Sequence, residues 1–130
     1  MTTARDMITR SLRAIGVLHS TETPSADEAL DGLSALNDML NSWIYTGIDL
    51  EHATIESLND VLPYPDDHMG PIRWNLAVRL APDYGVELTA AVVALAKEGF
   101  DQMLRAYMRN DELSFDGALS SVFAANRGRI

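Results

Sequence analysis

Residues 24–47 read PSADEALDGLSALNDMLNSWIYTG. Within them Ala26, Ala29, Leu33, Leu36, Leu40 and Trp43 follow one another at steps of three and four, the spacing of a single stripe down an α-helix. Pro24 suits a helix start, and either Thr23 or Ser25 is placed to cap it. Gly47 can take the left-handed conformation that closes a helix, so the end is expected near Tyr45. A heptad-like stripe of this kind packs against another helix. The stretch therefore predicts an all-α fold, and the flanking segments must supply the partners.

They do so on both sides. Upstream, Ala4, Ile8, Leu12 and Ile15 line one face of a first helix, with Thr3 and Asp6 spaced as a capping box and Gly16 as a stop. HSTET, residues 19–23, reads as the turn that follows. Downstream, residues 48–66 alternate only in part and contain Pro63 and Pro65, which predicts a long loop with one short strand or hairpin. Ile72, Leu76 and Leu80 then mark a third helix with Asp66 and Asp67 at its positive end, closed by APDYG at residues 81–85. Thr89 caps a fourth helix reaching Asn110, striped by Val92, Ala96, Phe100, Met103 and Tyr107. Gly99 inside it costs roughly 1 kcal/mol against Ala, so a neighbouring helix is expected to approach closely there. Beyond Asn110 the segment turns acidic and ends basic, with Phe115, Leu119, Val122 and Phe123 on a stripe too short to be stable alone. The expectation is a bundle of about four helices over residues 1–110 and an extended C-terminal tail, residues 111–130, that orders on a partner.

Composition narrows the function. A chain of 130 residues with 47% apolar side chains builds one domain. The net charge of −9 argues against general affinity for phosphate backbones or anionic lipid. Without cysteine there is no disulfide framework, no thiolate nucleophile and no Cys-ligated metal. No apolar run is long enough to span a bilayer, and the start, MTTARDMITRSLRAIG, lacks the apolar stretch of a secretory signal. A protein acting where it is made, with no membrane partner, is the expectation.

Little catalytic chemistry is in view. His19, His52 and His68 are not at metal-ligand spacing, and Asp66-Asp67-His68 reads as a helix cap. Trp43 and Trp74 lie near apolar helical faces and are expected in the core. No phosphate-cradling glycine loop is present, so no catalytic residue, cofactor or metal site is assigned and the chain is not read as an enzyme. The charge distribution says more. Between Arg13 and Arg73 there are eleven acidic residues and no basic one. A solubilising face explains this run, and so does a wall that repels a polyanion such as DNA.

ETPSADEALDGLSALNDMLNSW, residues 22–43, and IRWNLAVRLAPDYGVELTAAVVALAKEGF, residues 72–100, resemble the head-to-tail adaptor family of short-tailed bacteriophages, also called tail accessory factors or packaged-DNA stabilisation proteins. The resemblance rests on the TPSADEA helix start, LNDML with Trp43, the NLAVRLAPDYG exit of the third helix and an Ala-rich fourth helix. It implies a structural virion protein, made in the host cytoplasm, that binds beneath the portal protein at the head–tail junction. It also implies neighbouring copies in a ring, a dodecamer by the family's pattern, that extends the DNA channel and offers a platform to a downstream tail or nozzle protein. DNA passes through such a channel without specific binding. Family members grip the portal with a chain terminus, which corresponds here to Phe115, Leu119, Val122, Phe123, Arg127, Arg129 and Ile130. The acidic loop region, Asp49, Glu51, Glu56, Asp60, Asp66 and Asp67, is then expected to face the channel or the next tail component. The competing readings are a carboxylate-dependent cell-wall-degrading virion enzyme and a small acidic regulator of a host protein.

Overall fold

The computed structural model describes the backbone of residues 1–127 and the side chains of residues 1–108. Four helices make the fold: α1 (Ala4–Ala14), α2 (Ala26–Trp43), α3 (Asp66–Leu80) and α4 (Ala90–Arg127). The first two start as their sequences predict. The Thr3 hydroxyl accepts from the Asp6 N–H while the Asp6 carboxylate accepts from the Thr3 N–H. Ser25, not Thr23, caps α2, and Glu28 returns the bond to the Ser25 N–H at 2.8 Å. Each box satisfies donors that a helix start leaves without partners. A 3-10 turn, Ile44–Thr46, follows α2, and Gly47 at φ 105° turns the chain away.

α3 is the hub, touching α1, α2 and α4. Ile72, Leu76, Ala77 and Leu80 of α3 are buried against Ile8 and Leu12 of α1 and Leu36 and Leu40 of α2, within a single apolar cluster. Two close approaches tighten the bundle. A Cβ on Gly32 of α2 would meet the buried Ile8 side chain, and a Cβ on Gly99 of α4 would stand 2.9 Å from Pro71 Cα of α3. The latter is the approach that the interior glycine of the fourth helix predicts. Pro71 lies inside α3, where its ring nitrogen has no hydrogen to give, and its ring fills the Gly99 notch. Asn75 spans the same seam, its Nδ2 donating to the Pro71 carbonyl at 2.8 Å and the Ala96 carbonyl at 2.9 Å.

The structure departs from the sequence expectations in three places. The connection between α2 and α3 forms no strand among the described residues, only an isolated antiparallel bridge between Thr3 and Val61. The bridge pairs it with the short segment before α1, and the prolines at 63 and 65 stop the pairing from spreading. Trp43 is in the core, but Trp74 is only half-buried, since it lies on α3 about 200° around the helix from both Ile72 and Leu76. Last, α4 does not end at Asn110 but runs unbroken to Arg127. Asn and Asp are weak helix formers at 110 and 111, yet a helix already propagating from a packed body needs no new nucleus to cross them.

Candidate interaction surfaces

The acidic connection, residues 47–65, is fixed to the body. Its apolar residues Ile48, Ile55 and Leu62 are buried in the core. Asn37 of α2 clamps its middle, with Nδ2 donating to the Ile55 carbonyl at 3.0 Å and Oδ1 accepting from the Ile55 N–H at 2.9 Å. His52 completes the clamp through Nε2 to Asn37 Oδ1 at 3.0 Å and Nδ1 to the Tyr64 hydroxyl. Because Asn37 Oδ1 can only accept, Nε2 carries the hydrogen, and Nδ1 accepts from Tyr64 O–H. Burial lowers the His52 pKa below 6.5. Burial, and then the neighbouring Tyr107, push Tyr64 up to about 12. At its far end the connection is stitched to the start of α1, with Ala4 N–H donating to the Asp60 carbonyl and Arg5 N–H to the Leu58 carbonyl, both at 2.9 Å.

Asp49, Glu51, Glu56, Asp60, Asp66 and Asp67 are all exposed, as the sequence predicts for a charged surface. Half of them also hold local backbone or side chains. Asp49 Oδ1 accepts from the Glu51 N–H at 2.8 Å, which fastens Glu51 in a left-handed conformation of φ 52°. Asp60 Oδ2 accepts from the Ser57 N–H. Asp66 and Asp67 occupy the first turn of α3, where the helix dipole favours negative charge. Glu51 and Glu56 have no side-chain hydrogen bond among the described residues and face outward.

A small cleft of about 120 Å3 opens between the start of α3 and α4, lined by Asp67, His68, Pro71, Met103 and Tyr107. His68 bridges it, Nδ1 to Asp67 Oδ1 and Nε2 to the Tyr107 hydroxyl, each at 2.7 Å. Burial raises the Tyr107 pKa, and the charges of Asp67 and Asp49 raise it further. The line of carboxylate, imidazole and phenol ties α3 to α4. No group of three or more metal-ligating side chains occurs among the described residues. The Asp66-Asp67-His68 run thus serves a helix start and an interhelix tie.

A surface that the sequence reading missed lies on the other side of α3, where Arg10, Arg13 and Arg73 converge around Trp74. Arg10 and Arg13 are neighbours on α1, but Arg73 is sixty residues farther along the chain, and a tally of charge along the sequence does not bring it to them. The spacing of Arg10, Arg13 and Ala14 on the outer face of α1 was the available signal.

The expected portal-binding positions Phe115, Leu119, Val122, Phe123, Arg127, Arg129 and Ile130 have side chains outside the described residues. Backbone helix covers the positions up to Arg127.

A model of the P22 tail accessory factor family matches residues 1–114, which takes in α1, α2, the connection, α3 and the turns of α4 that are described as packing on them. The chain belongs to that family. Membership gives this tail accessory factor a structural role in a phage tail and associates it with the virion. No helix among the described residues is long and apolar enough to cross a membrane. The matched region stops at Ser114, just before the first apolar position of the expected tail stripe.

Proposed function

We propose that this tail accessory factor is a head-to-tail adaptor that binds beneath the portal ring, one copy per portal subunit, extends the DNA channel and presents a platform to the next tail component. The observation that carries the reading is the length of α4, 38 residues in one helix, of which the part through Met103 packs one face, Val92, Ala96 and Met103, on the body and the last turns lie beyond the family's matched region. On a helical backbone Phe115, Leu119, Val122 and Phe123 fall within one arc, an apolar stripe of the kind that docks helix-in-groove. Arg127, Arg129 and Ile130 follow it as charged and apolar anchors. A weak grip of this kind, repeated around a ring, becomes strong through effective concentration.

The acidic connection supports the second half of the reading. Its carboxylates are held in place on a pinned backbone, which suits a wall that DNA passes without sticking or a fixed docking face for a tail protein.

Deletion of residues 113–130 tests the role of the tail. The truncated protein is expected to keep the helical circular-dichroism spectrum of the bundle and to lose co-sedimentation with isolated portal rings. Undiminished co-sedimentation would overturn the assignment of the portal grip to these residues.

A further inference from the structure

Tyr45 stands 91% exposed and Ile44 51% exposed on the 3-10 turn that follows α2. Single apolar side chains at a surface need no explanation, but these two have company. Trp43, just before the turn, packs edge-on against Phe100 of α4 with 5.8 Å between ring centres. A Cβ on Gly47, just after it, would stand 3.5 Å from Leu104 Cδ1 and 3.8 Å from Met108 Cγ. The turn is thus held against α4 from both sides, and Met108 is itself 47% exposed. Ile44, Tyr45 and Met108 form an apolar shoulder at the end of the bundle from which α4 runs on.

The shoulder is in phase with the rest of α4. Phe115 lies seven residues beyond Met108 on an unbroken helical backbone, two turns on to within about 20° and about 10 Å farther out. Leu119 falls within about 20° of the same line on its other side. Position 108 therefore begins the stripe whose later members were assigned above to the portal. A partner that lies along Phe115 and Leu119 and continues two turns toward the body meets Met108, and then the Ile44–Tyr45 turn beside it. The flank of the shoulder is anionic. Asp49 follows the turn in sequence, and Asp66 and Asp67 open α3, whose His68 is bonded to Tyr107 of α4. Neither the connection nor the start of α3 carries a lysine or arginine before Arg73.

We propose that the portal covers this shoulder as well as the tail, through one apolar surface with a basic margin that runs from residues 115–123 down onto Met108, Ile44 and Tyr45. The inference rests on the proposed docking of α4 on the portal and adds to it a second, preformed contact on the body. Tyrosine and methionine are residues that interfaces favour, and Tyr45 offers a large ring already held in place by its neighbours. The added length also matters. A stripe confined to residues 115–123 is a short contact, whereas one that starts at Met108 extends over about 24 Å of the same helix. Shoulder and stripe belong to one continuous element, so binding of either raises the effective concentration of the other at its site. A second copy of the chain fits the shoulder less well, because a subunit of net charge −9 would meet the anionic flank with more negative charge.

Two measurements on the full-length protein test it. In the first, I44S/Y45S, with its tail intact and its fold checked by circular dichroism, is titrated against isolated portal rings. Co-sedimentation is expected to weaken roughly tenfold or more. Leu30→Ser removes an equally exposed apolar side chain about 21 Å away along α2 and is expected to bind as wild type does. In the second, a photoreactive benzophenone side chain replaces Tyr45 in the protein bound to portal rings, and irradiation is expected to join it to a portal subunit. Unweakened binding by I44S/Y45S, an equal loss in Leu30→Ser, or a crosslink that reaches only a second copy of the chain would overturn the proposal. The two ideas fail differently. If tail deletion abolishes binding while I44S/Y45S binds as wild type does, the shoulder falls and the tail assignment stands. If wild type itself does not co-sediment with portal rings, both fall together.

Discussion

At position 99 the absence of a single carbon sets the spacing of two helices. Alanine there would gain roughly 1 kcal/mol in helix propensity, but its Cβ would lie 2.9 Å from Pro71 Cα, a backbone atom that cannot swing aside. Overpacking of this kind costs about 1–3 kcal/mol, so the clash outweighs the gain and Gly99→Ala is expected to destabilise by up to about 2 kcal/mol, read as a lower urea midpoint. A variant at least as stable as wild type would show that α3 and α4 part without penalty. This glycine was readable in advance, because an unfavourable residue inside a well-formed helix needs a packing reason. His52 was not, since its partners Asn37 and Tyr64 are far from it in sequence and only the folded connection gathers them. Its lowered pKa has a definite sign. The folded chain binds this proton less readily than the unfolded chain does, so the contribution to stability is complete above pH 6.5 and declines as pH falls through that value toward the lowered one. Between about pH 7.5 and 5.5 the urea midpoint of wild type should therefore fall further than that of His52→Gln, while equal falls would remove His52 from the account.

Helix boundaries followed local chemistry where that chemistry was complete. Ser25 and Glu28 close a full capping box, and Ser25→Ala is expected to cost about 1 kcal/mol in urea unfolding. A loss below a few tenths would mean that Glu28 and the dipole hold the start of α2 without the hydroxyl. Where tertiary packing overrode local preference, the sequence misled. Asn110 and Asp111 looked like an end, yet α4 passes them because its preceding turns are anchored by Val92, Ala96 and Met103. The connection looked strand-like because Ile48, Leu50, Ile55 and Leu58 are apolar, but they are apolar to dock on the body and not to pair with a neighbour. Trp74 was misplaced by its nearness in sequence to Ile72 and Leu76, which point elsewhere on the helix.

Over the whole molecule, the acidic excess was visible as a sum, and its meaning depended on where the arginines went. With no Arg or Lys ion pair among the described side chains, the charges of an isolated subunit mostly repel, and salt should relieve them. Raising sodium chloride from about 0.05 to 0.5 M is expected to raise the urea midpoint of dilute, monomeric protein, and a fall would reveal stabilising ion pairs that the fold conceals. The arginine groove was beyond sequence reading because α1 and α3 meet only after folding, whereas the stripe at 115–123 was legible from spacing alone. That stripe and the buried face of α4 belong to one uninterrupted spiral of 38 residues, about 57 Å long. Body and grip are therefore geared together: one residue spliced in between them would rotate the gripping side by about 100° and advance it by about 1.5 Å, whereas four would bring it back almost into phase one turn farther out. The stretch near Asn110 should tolerate changes of letter far better than changes of length.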